Sequence, residues 1–158
     1  MQKMRTHKNT YHILTALTGI AVSMASCTME SSDNGKLDGF WHLEQVDTLA
    51  TGGKADLSDK RIFWGVQHKL ISIKDYDAES FYLRFQQTGD SLILSSPYLN
   101  HWHQDTGDNG GDIPMEEVSD NLRHCGINNL EERFCKERLT GSDMTLRNKT
   151  LRLIFKKF

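Results

Sequence analysis

One glycine-rich stretch in the middle of the chain has the side chains best suited to metal chemistry. His101 and His103 are two positions apart, so in an extended segment their imidazoles point to the same side, and neutral imidazole is a common metal ligand. Three aspartates follow: Asp105, Asp108 and Asp112. A zinc site needs three or four converging ligands, and no third histidine lies in register. The aspartates also lack the alternating oxygen donors and distal glutamate of a calcium loop. We therefore predict a solvated loop over His101–Asp112, with no metal and no cofactor.

Two of the three cysteines lie close together in the second half of the chain. In an oxidising compartment Cys125 and Cys135 would be able to form a disulfide bond. The alternative is a pair of buried free thiols that point into different layers. The sequence leaves both possibilities open.

The common catalytic motifs are absent. The sequence contains no Gly-x-Ser-x-Gly, no glycine-rich phosphate loop and no His-Glu-x-x-His. Acidic residues are plentiful, but their spacing selects no catalytic pair, and a solvated acidic face accounts for them. We predict that the protein is not an enzyme, with a hydrolase as a remote alternative.

Residues 1–26 have the composition of an export signal. Basic residues open the chain, and an apolar run over residues 13–25 follows them. That run is shorter than the ~20 residues that a spanning helix needs. Ala25-Ser26-Cys27 resembles the lipobox of bacterial lipoproteins, with Met24 where leucine is commonest. The resemblance implies that residues 1–26 are removed and that Cys27 carries acyl chains such as palmitate. The alternative is an ordinary secretory signal with an incidental cysteine.

The charge of the chain beyond the signal limits its partners. The 19 Lys and Arg residues include three in residues 1–26, whereas none of the 21 Asp and Glu residues lies there. The remainder therefore has 16 basic and 21 acidic residues, a net charge of −5 with histidine neutral. This charge argues against a nucleic-acid partner, which needs a basic face, and against attachment to membranes through basic residues.

Short strands account for most of the chain after a polar tether over residues 27–36. The first strand, about 37–46, alternates with Trp41 and Leu43 on one face, whereas Phe40 interrupts the alternation and predicts a partner on the outer face. Further strands are predicted in the following ranges: 61–74 with a bend at Gly65, 80–87, 92–94, 131–139, 144–147 and 150–158. One helix is predicted over about 114–125 from the apolar spacing of Met115, Val118, Leu122 and Cys125, with Gly126 at its C-terminal cap.

Seven or eight strands joined by short turns, with one helix, predict a mainly β protein that closes into a small antiparallel barrel. A two-layer sandwich is the alternative. Gly39-Phe40-Trp41 matches the Gly-x-Trp motif of the first lipocalin strand. Together with the late strands, it makes residues 37–158 similar to the lipocalin-like lipoproteins of Bacteroides-type bacteria. The predicted helix precedes the last three strands, whereas classical lipocalins place their main helix after the barrel.

Aromatic residues on inward-facing positions suggest two functions. They would line a pocket for a small apolar ligand: Trp41, Trp64, Phe81, Phe85 and Phe155. Alternatively, they fill the barrel, and the protein is a structural or interaction module that docks a protein or glycan, with His101-Trp102-His103 as the best exposed patch. In both cases we expect a lipid-anchored protein of the bacterial envelope, on the periplasmic face or the cell surface.

Overall fold

Antiparallel strands dominate the computed structural model, which describes residues 32–101 and 111–158. The predicted signal, Cys27 and most of the histidine–aspartate loop lie outside the described residues. Ser32–Phe158 form one compact unit, and all of the described strand pairs lie within it. We therefore expect this unit to fold without the residues that precede it.

A 3₁₀ turn at Gly35–Leu37 precedes the strands. The strands are β1 (Gly39–Thr48), β2 (Gly53–Asp56), β3 (Ile62–Gln67), β4 (Leu70–Asp75), β5 (Ser80–Gln87), β6 (Ser91–Leu99), β7 (Ile113–Pro114), β8 (Glu132–Leu139), β9 (Asp143–Arg147) and β10 (Leu151–Lys157). One short helix, α1 (Asp120–His124), lies between β7 and β8.

Eight of these strands close into a barrel. Neighbouring strands pair in the order β1, β3, β4, β5, β6, β8, β9, β10, and β10 pairs again with β1. The short strands β2 and β7 add to β1 and β6 at the ends. Closure pairs the long strands on both sides and removes the open edges of a sheet. The predicted barrel is confirmed, and the sandwich alternative is not what the chain adopts.

Period-two alternation along the strands builds the core. In β3 and β4 every second residue is buried, and the same pattern recurs in β5, β9 and β10. Inward-facing leucine, isoleucine and aromatic side chains from all parts of the barrel form one hydrophobic cluster. The core therefore lies inside the barrel.

The closed end of the barrel is organised around Trp41. Its indole Nε1–H donates to the Leu37 carbonyl at 2.8 Å, so the 3₁₀ turn is held across this end. The Lys157 ammonium lies 4.9 Å from the centre of the indole ring, a cation–π geometry. Gly39 has a φ of +131°, and a Cβ at this position would clash with Lys157 Cε. In the Gly-x-Trp motif, Gly39 therefore supplies a backbone conformation that suits glycine, and Trp41 supplies the ring that covers the closed end of the barrel.

The helix prediction is correct at its C-terminal end and wrong over its first half. Ile113 and Pro114 form β7, and the next backbone N–H, from Met115, donates to Pro97 O at 3.0 Å. Ser119 is the true N-cap, because its hydroxyl accepts from the Leu122 N–H at 3.2 Å. The apolar spacing before Ser119 reflects the burial of Val118 in an irregular segment. The pattern therefore identified a buried residue correctly but predicted a helix where there is none.

The helix ends as the glycine predicted. Gly126 has a φ of +94° and donates to Arg123 O at 2.9 Å, while Ile127 donates to Leu122 O at 3.2 Å. This pair of hydrogen bonds is the Schellman motif. A Cβ on Gly126 would lie 2.8 Å from Leu153 Cδ2, so close packing against β10 adds a second need for glycine.

The two described cysteines are free thiols on opposite sides of the barrel wall. Cys125 is fully buried, whereas Cys135 is exposed on β8 beside the inward-facing Phe134. Burial raises the pKa of the Cys125 thiol to about 12. Of the two possibilities open from the sequence, the structure favours free thiols. The expectation that both would be buried does not hold, because alternation in β8 turns Cys135 outward.

We predict that Gly39→Ala destabilises the domain by about 1–3 kcal/mol, because Ala resists a positive φ and its Cβ meets Lys157. Urea unfolding of a protein that starts at residue 28 measures the effect. Gly141→Ala is the matched control, since its Cβ meets nothing within 4 Å. We expect the control to change stability by less than about 0.5 kcal/mol. Equal effects of the two substitutions would contradict this role of Gly39.

We predict two free thiols in the same protein, and the two should react at different rates. A chromogenic disulfide reagent should titrate Cys135 at once, since its thiol is exposed. Cys125 should react only after denaturation, because burial removes access and disfavours the thiolate. Finding no free thiol under denaturing, non-reducing conditions would instead establish a disulfide.

Candidate functional site

The five aromatic residues predicted from the sequence all face the barrel interior. Trp41, Trp64 and Phe81 have no exposed surface, and Phe85 and Phe155 are 3% and 1% exposed. Alternation in β1, β3, β5 and β10 directs them inward. The structure brings them into one cluster together with a residue that the sequence reading did not single out, Phe134 of β8.

Phe134 decides how much room the interior has. In the closed order, β8 lies four strands from β3 in both directions, so the two strands face each other across the barrel. The Trp64 and Phe134 rings meet edge to face at 6.4 Å between centroids, and Trp64 also meets Phe155 at 5.0 Å. A contact between opposite strands means that side chains span the full width at this level. The alternation of Arg133, Phe134 and Cys135 was the available signal for Phe134.

The interior contains one unpaired polar atom near this contact. The Trp64 Nε1–H is buried and has no hydrogen-bond partner among the described residues. By contrast, the Trp41 indole is paired with the Leu37 carbonyl. A buried donor without a partner is a site that a water molecule or a polar ligand atom would satisfy.

The outer surface of β1, β3, β4, β5 and β6 carries an unusual number of aromatic side chains. We call this surface the aromatic wall. Its members are Phe40, Phe63, Tyr82 and Tyr98 on these strands, together with Tyr76 in the turn after β4 and Phe158 at the end of β10. Phe40 and Phe63 stack with centroids 4.8 Å apart, and Phe158 meets both rings edge to face. Phe158 is 87% exposed and Tyr76 is 53% exposed. The outer-face partner that Phe40 predicted is therefore this ring cluster, of which much remains in contact with solvent.

A groove of about 830 Å³ crosses the aromatic wall. The strand register places Phe40, Gly65, Ser72 and Tyr82 side by side on four successive strands. The Phe40 ring packs against Gly65, with Cδ2 3.3 Å from the position of a Cβ there, and the small Ser72 side chain leaves a depression between this ring and Tyr82. Leu70 and Lys74 flank Ser72 along β4. A second hollow of about 420 Å³ shares Leu70 and Tyr82 with the groove and extends to Tyr98.

Polar groups at the tether end of the groove are held in fixed positions. Ser32 Oγ donates to Asp38 Oδ1 at 2.6 Å and accepts from the His68 backbone N–H at 2.7 Å. Asn34 Nδ2 donates to Asp38 Oδ1 at 2.7 Å and to the His68 carbonyl at 2.6 Å. Burial raises the pKa of Asp38, but these hydrogen bonds outweigh it and hold the pKa below its ordinary value. Asp38 is therefore a carboxylate at neutral pH.

The opposite wall, formed by β8, β9 and β10, has a different character. Glu137 on β8 accepts from Arg152 at 2.8 Å and from Arg147 at 3.3 Å. The hydrogen bond from Arg152 is the main reason that the pKa of Glu137 lies below its usual range. Arg138 pairs with Asp143 at 3.3 Å on the same side. The barrel exterior is thus divided into an ion-paired wall and an aromatic wall.

The predicted metal-like loop is only partly described. The His101 backbone N–H donates to Asp112 Oδ1 at 3.2 Å, which links the two ends of the segment. His103, Asp105, Asp108 and Trp102 of the predicted surface patch lie outside the described residues. Over residues 32–101 and 111–158, no group of three or more His, Cys, Asp or Glu side chains is placed to hold a metal ion. In those same ranges no helix is both long and apolar enough to cross a membrane.

Comparison with known proteins agrees with the fold. A family model described as a lipocalin-like domain matches residues 22–158. The chain is similar to the crystal structure of a lipocalin-like protein from Bacteroides uniformis, with a TM-score of 0.54 and 22% sequence identity over 78% of this chain and 100% of that chain. An uncharacterized protein from Bacteroides eggerthii has a TM-score of 0.49 and 20% identity over 77% of this chain and 98% of that chain.

No functionally curated protein matches the chain. At 22% identity the Bacteroides uniformis structure supports the fold alone. The family model covers all of the described residues, and the closed eight-strand barrel has the architecture that the family name implies. The chain therefore belongs to the lipocalin-like domain family.

Proposed function

We propose that this protein is a lipid-anchored protein of the bacterial envelope whose barrel is a filled scaffold and whose outer surface docks a protein or glycan. The observation that carries the proposal is the contact of Trp64 with Phe134 across the barrel. This function corresponds to the structural or interaction module, the second of the two functions that the sequence suggested. An enzymatic role gains no support from the described groups.

The exposed fraction of the inward side chains favours a filled barrel, because side chains that line a ligand pocket keep accessible surface. Pockets for small apolar molecules usually enclose at least ~300 Å³, and the side chains that line them retain accessible surface. Here the inward aromatic residues are between 0% and 3% exposed. An eight-strand barrel is also narrow enough for its own side chains to fill. Recognition is then left to the outer surface.

A small apolar ligand inside the barrel is the second candidate, and one observation favours it. The Trp64 indole N–H is buried without a partner. A ligand carbonyl or hydroxyl would satisfy this donor if the aromatic side chains moved aside. Such movement would separate Trp64 from Phe134 or Phe155, so the filled barrel remains the better account.

The anchoring part of the proposal rests on the sequence. Residues 1–26 have the order of a lipoprotein signal, and Ala25-Ser26-Cys27 resembles a lipobox. Acyl chains on Cys27 would hold the protein to a membrane, since each buried CH₂ contributes ~0.8 kcal/mol. A fully extended chain from Cys27 to Ser32 spans about 18 Å at most. The anchored barrel would therefore lie close to the membrane surface, on the side of Leu37 and the closed end.

We expect the purified protein from residue 28 to carry no bound apolar molecule. Extraction with organic solvent followed by mass spectrometry should find no compound at stoichiometric amounts, because Trp64 and Phe134 occupy the interior. Recovery of a stoichiometric lipid or other apolar molecule would contradict the filled barrel.

A cavity variant provides the positive control for the same experiment. Phe134→Ala should cost about 3–5 kcal/mol and leave an apolar void that accepts benzene, seen as a rise in melting temperature. Phe134→Leu is the milder version if the first variant does not fold. We expect benzene to leave the wild-type melting temperature unchanged, and a wild-type shift as large as that of the variant would argue against a filled interior.

We predict that Cys27 is the lipid attachment site. In a Gram-negative host expressing the full chain, radiolabelled palmitate should label the wild type, and the protein should sediment with membranes. Cys27→Ser should abolish the label, because its hydroxyl cannot replace the acylated thiol. Cys135→Ser is the matched control, since it removes an exposed thiol elsewhere. Label retained in Cys27→Ser would show that the cysteine is incidental.

A further inference from the structure

The groove on the aromatic wall has the form of a binding site. Its floor is made by Gly65 and Ser72, which are neighbours in the β3–β4 register. Phe40 borders the floor on one side and Tyr82 on the other. Three strand spacings separate Phe40 from Tyr82, about 14 Å along the sheet. The Phe40 ring lies against Gly65, so the depression between the two rings lies over the small side chain of Ser72.

One polar atom in the floor of the groove lacks a hydrogen-bond partner among the described residues. Ser72 Oγ is buried and has no partner among the described residues. On the outer face of a barrel, a serine hydroxyl normally bonds to water or to a neighbouring side chain. Ser72 lines the groove together with Leu70 and Lys74 of the same outward face of β4, but its Oγ itself has almost no accessible surface. A rotation of the Ser72 side chain about χ1 would turn this hydroxyl toward the groove, where a ligand hydroxyl would satisfy it.

The charges around the groove balance. Asp38 is a carboxylate whose pKa is held low by its hydrogen bonds, and Lys74 supplies a positive charge among the lining residues. One acid and one lysine favour neither an anion nor a cation. Together with Gln67 and His68, they supply hydrogen-bond donors and acceptors along the rim. This charge balance fits a neutral ligand that is rich in hydroxyl groups.

The groove continues along the barrel surface into the second hollow. The second hollow shares Leu70 and Tyr82 with it and adds Arg84, Tyr98 and Asp112 to the surface. Tyr98 follows Tyr82 in the same row of the strand register. A surface with successive aromatic side chains on neighbouring strands suits a linear chain of units, each with an apolar face. Sugar rings have this character, because one face of the ring presents C–H groups and the edges present hydroxyls.

We propose that the groove of the aromatic wall binds a neutral linear oligosaccharide. Sugar rings pack against Phe40 and Tyr82, and a ring hydroxyl bonds to Ser72 Oγ. The inference deepens the proposed function and rests on it, since it identifies the glycan partner and the surface that docks it. The ion-paired wall around Glu137 has no comparable row of rings.

The test uses the protein from residue 28 and a panel of neutral hexasaccharides of glucose, mannose and xylose in β-1,4 linkage, with β-1,3-linked and α-1,4-linked glucose. Titration calorimetry and amide shifts in NMR spectra measure binding. We expect at least one hexasaccharide to bind and to shift amides near Gly65, Ser72 and Tyr82. Absence of binding across the whole panel would overturn the proposal.

Matched variants locate the site. Ser72→Val fills the groove floor, whereas Thr145→Val makes a similar change on the outer face of β9 in the ion-paired wall. Ser72→Val should weaken binding by at least about ten-fold, and Thr145→Val should leave it unchanged. Tyr82→Ala should also weaken binding by removing a ring. Urea unfolding midpoints verify that each variant is folded, and unchanged affinity in folded Ser72→Val would overturn the assignment.

The same variants identify other occupants. Sedimentation velocity tests for a second copy of the chain, and flotation with vesicles of phosphatidylethanolamine and phosphatidylglycerol tests for a membrane. Self-association or vesicle binding that Ser72→Val abolishes would overturn the glycan assignment and give the groove that occupant. These results are independent of the solvent extraction, so failure of the filled barrel and failure of the glycan groove are separate outcomes.

Discussion

The pairing of β1 with β10 is the interaction on which the rest of the structure depends. It joins the first and last strands, from Trp41 opposite Lys157 to Thr48 opposite Leu151. Without it the sheet would have two open edges, and the inward side chains would face solvent. Trp41 reinforces the closure by bonding to the Leu37 carbonyl and packing beneath Lys157. The Gly-x-Trp motif is thus an architectural device at the point where the barrel closes.

Closure also separates the two populations of aromatic residues. Those on inward parity, such as Trp64 and Phe134, meet across a barrel only eight strands around and fill it. Those on outward parity, such as Phe40 and Tyr82, are left on the surface of β1 and β5. The inward set stabilises the fold. The outward set exposes apolar surface to water, which is unfavourable and which the fold does not require. Such exposed apolar surface favours a role in recognition.

The segment between β6 and β8 illustrates how local patterns succeed and fail. Gly126 marked the helix end correctly because a positive φ at that position is a local requirement. Pro114 did not begin the helix, since pairing with Tyr98 holds it in β7. Helical spacing of apolar residues reported which side chains are buried, and Val118 is indeed buried. Whether the start of this segment is helical depended on its pairing with β6, which the spacing of apolar residues cannot reveal.

The sequence by itself determined the barrel class, most of its long strands and the inward parity of Trp41, Trp64, Phe81, Phe85 and Phe155, because alternation and turn residues act over a few positions. It missed the short strands β2 and β7, and it placed the bend of 61–74 at Gly65, whereas the chain turns between Gln67 and Leu70. It also identified Phe40 as an outer-face residue that needs a partner. Only the tertiary structure decided that Phe134 meets Trp64 and that Gly65 and Ser72 lie in one row with Phe40 and Tyr82. The physical reason is strand register. Which residues become neighbours across strands is set by hydrogen bonding and closure of the whole sheet, so it follows from no single stretch of the chain.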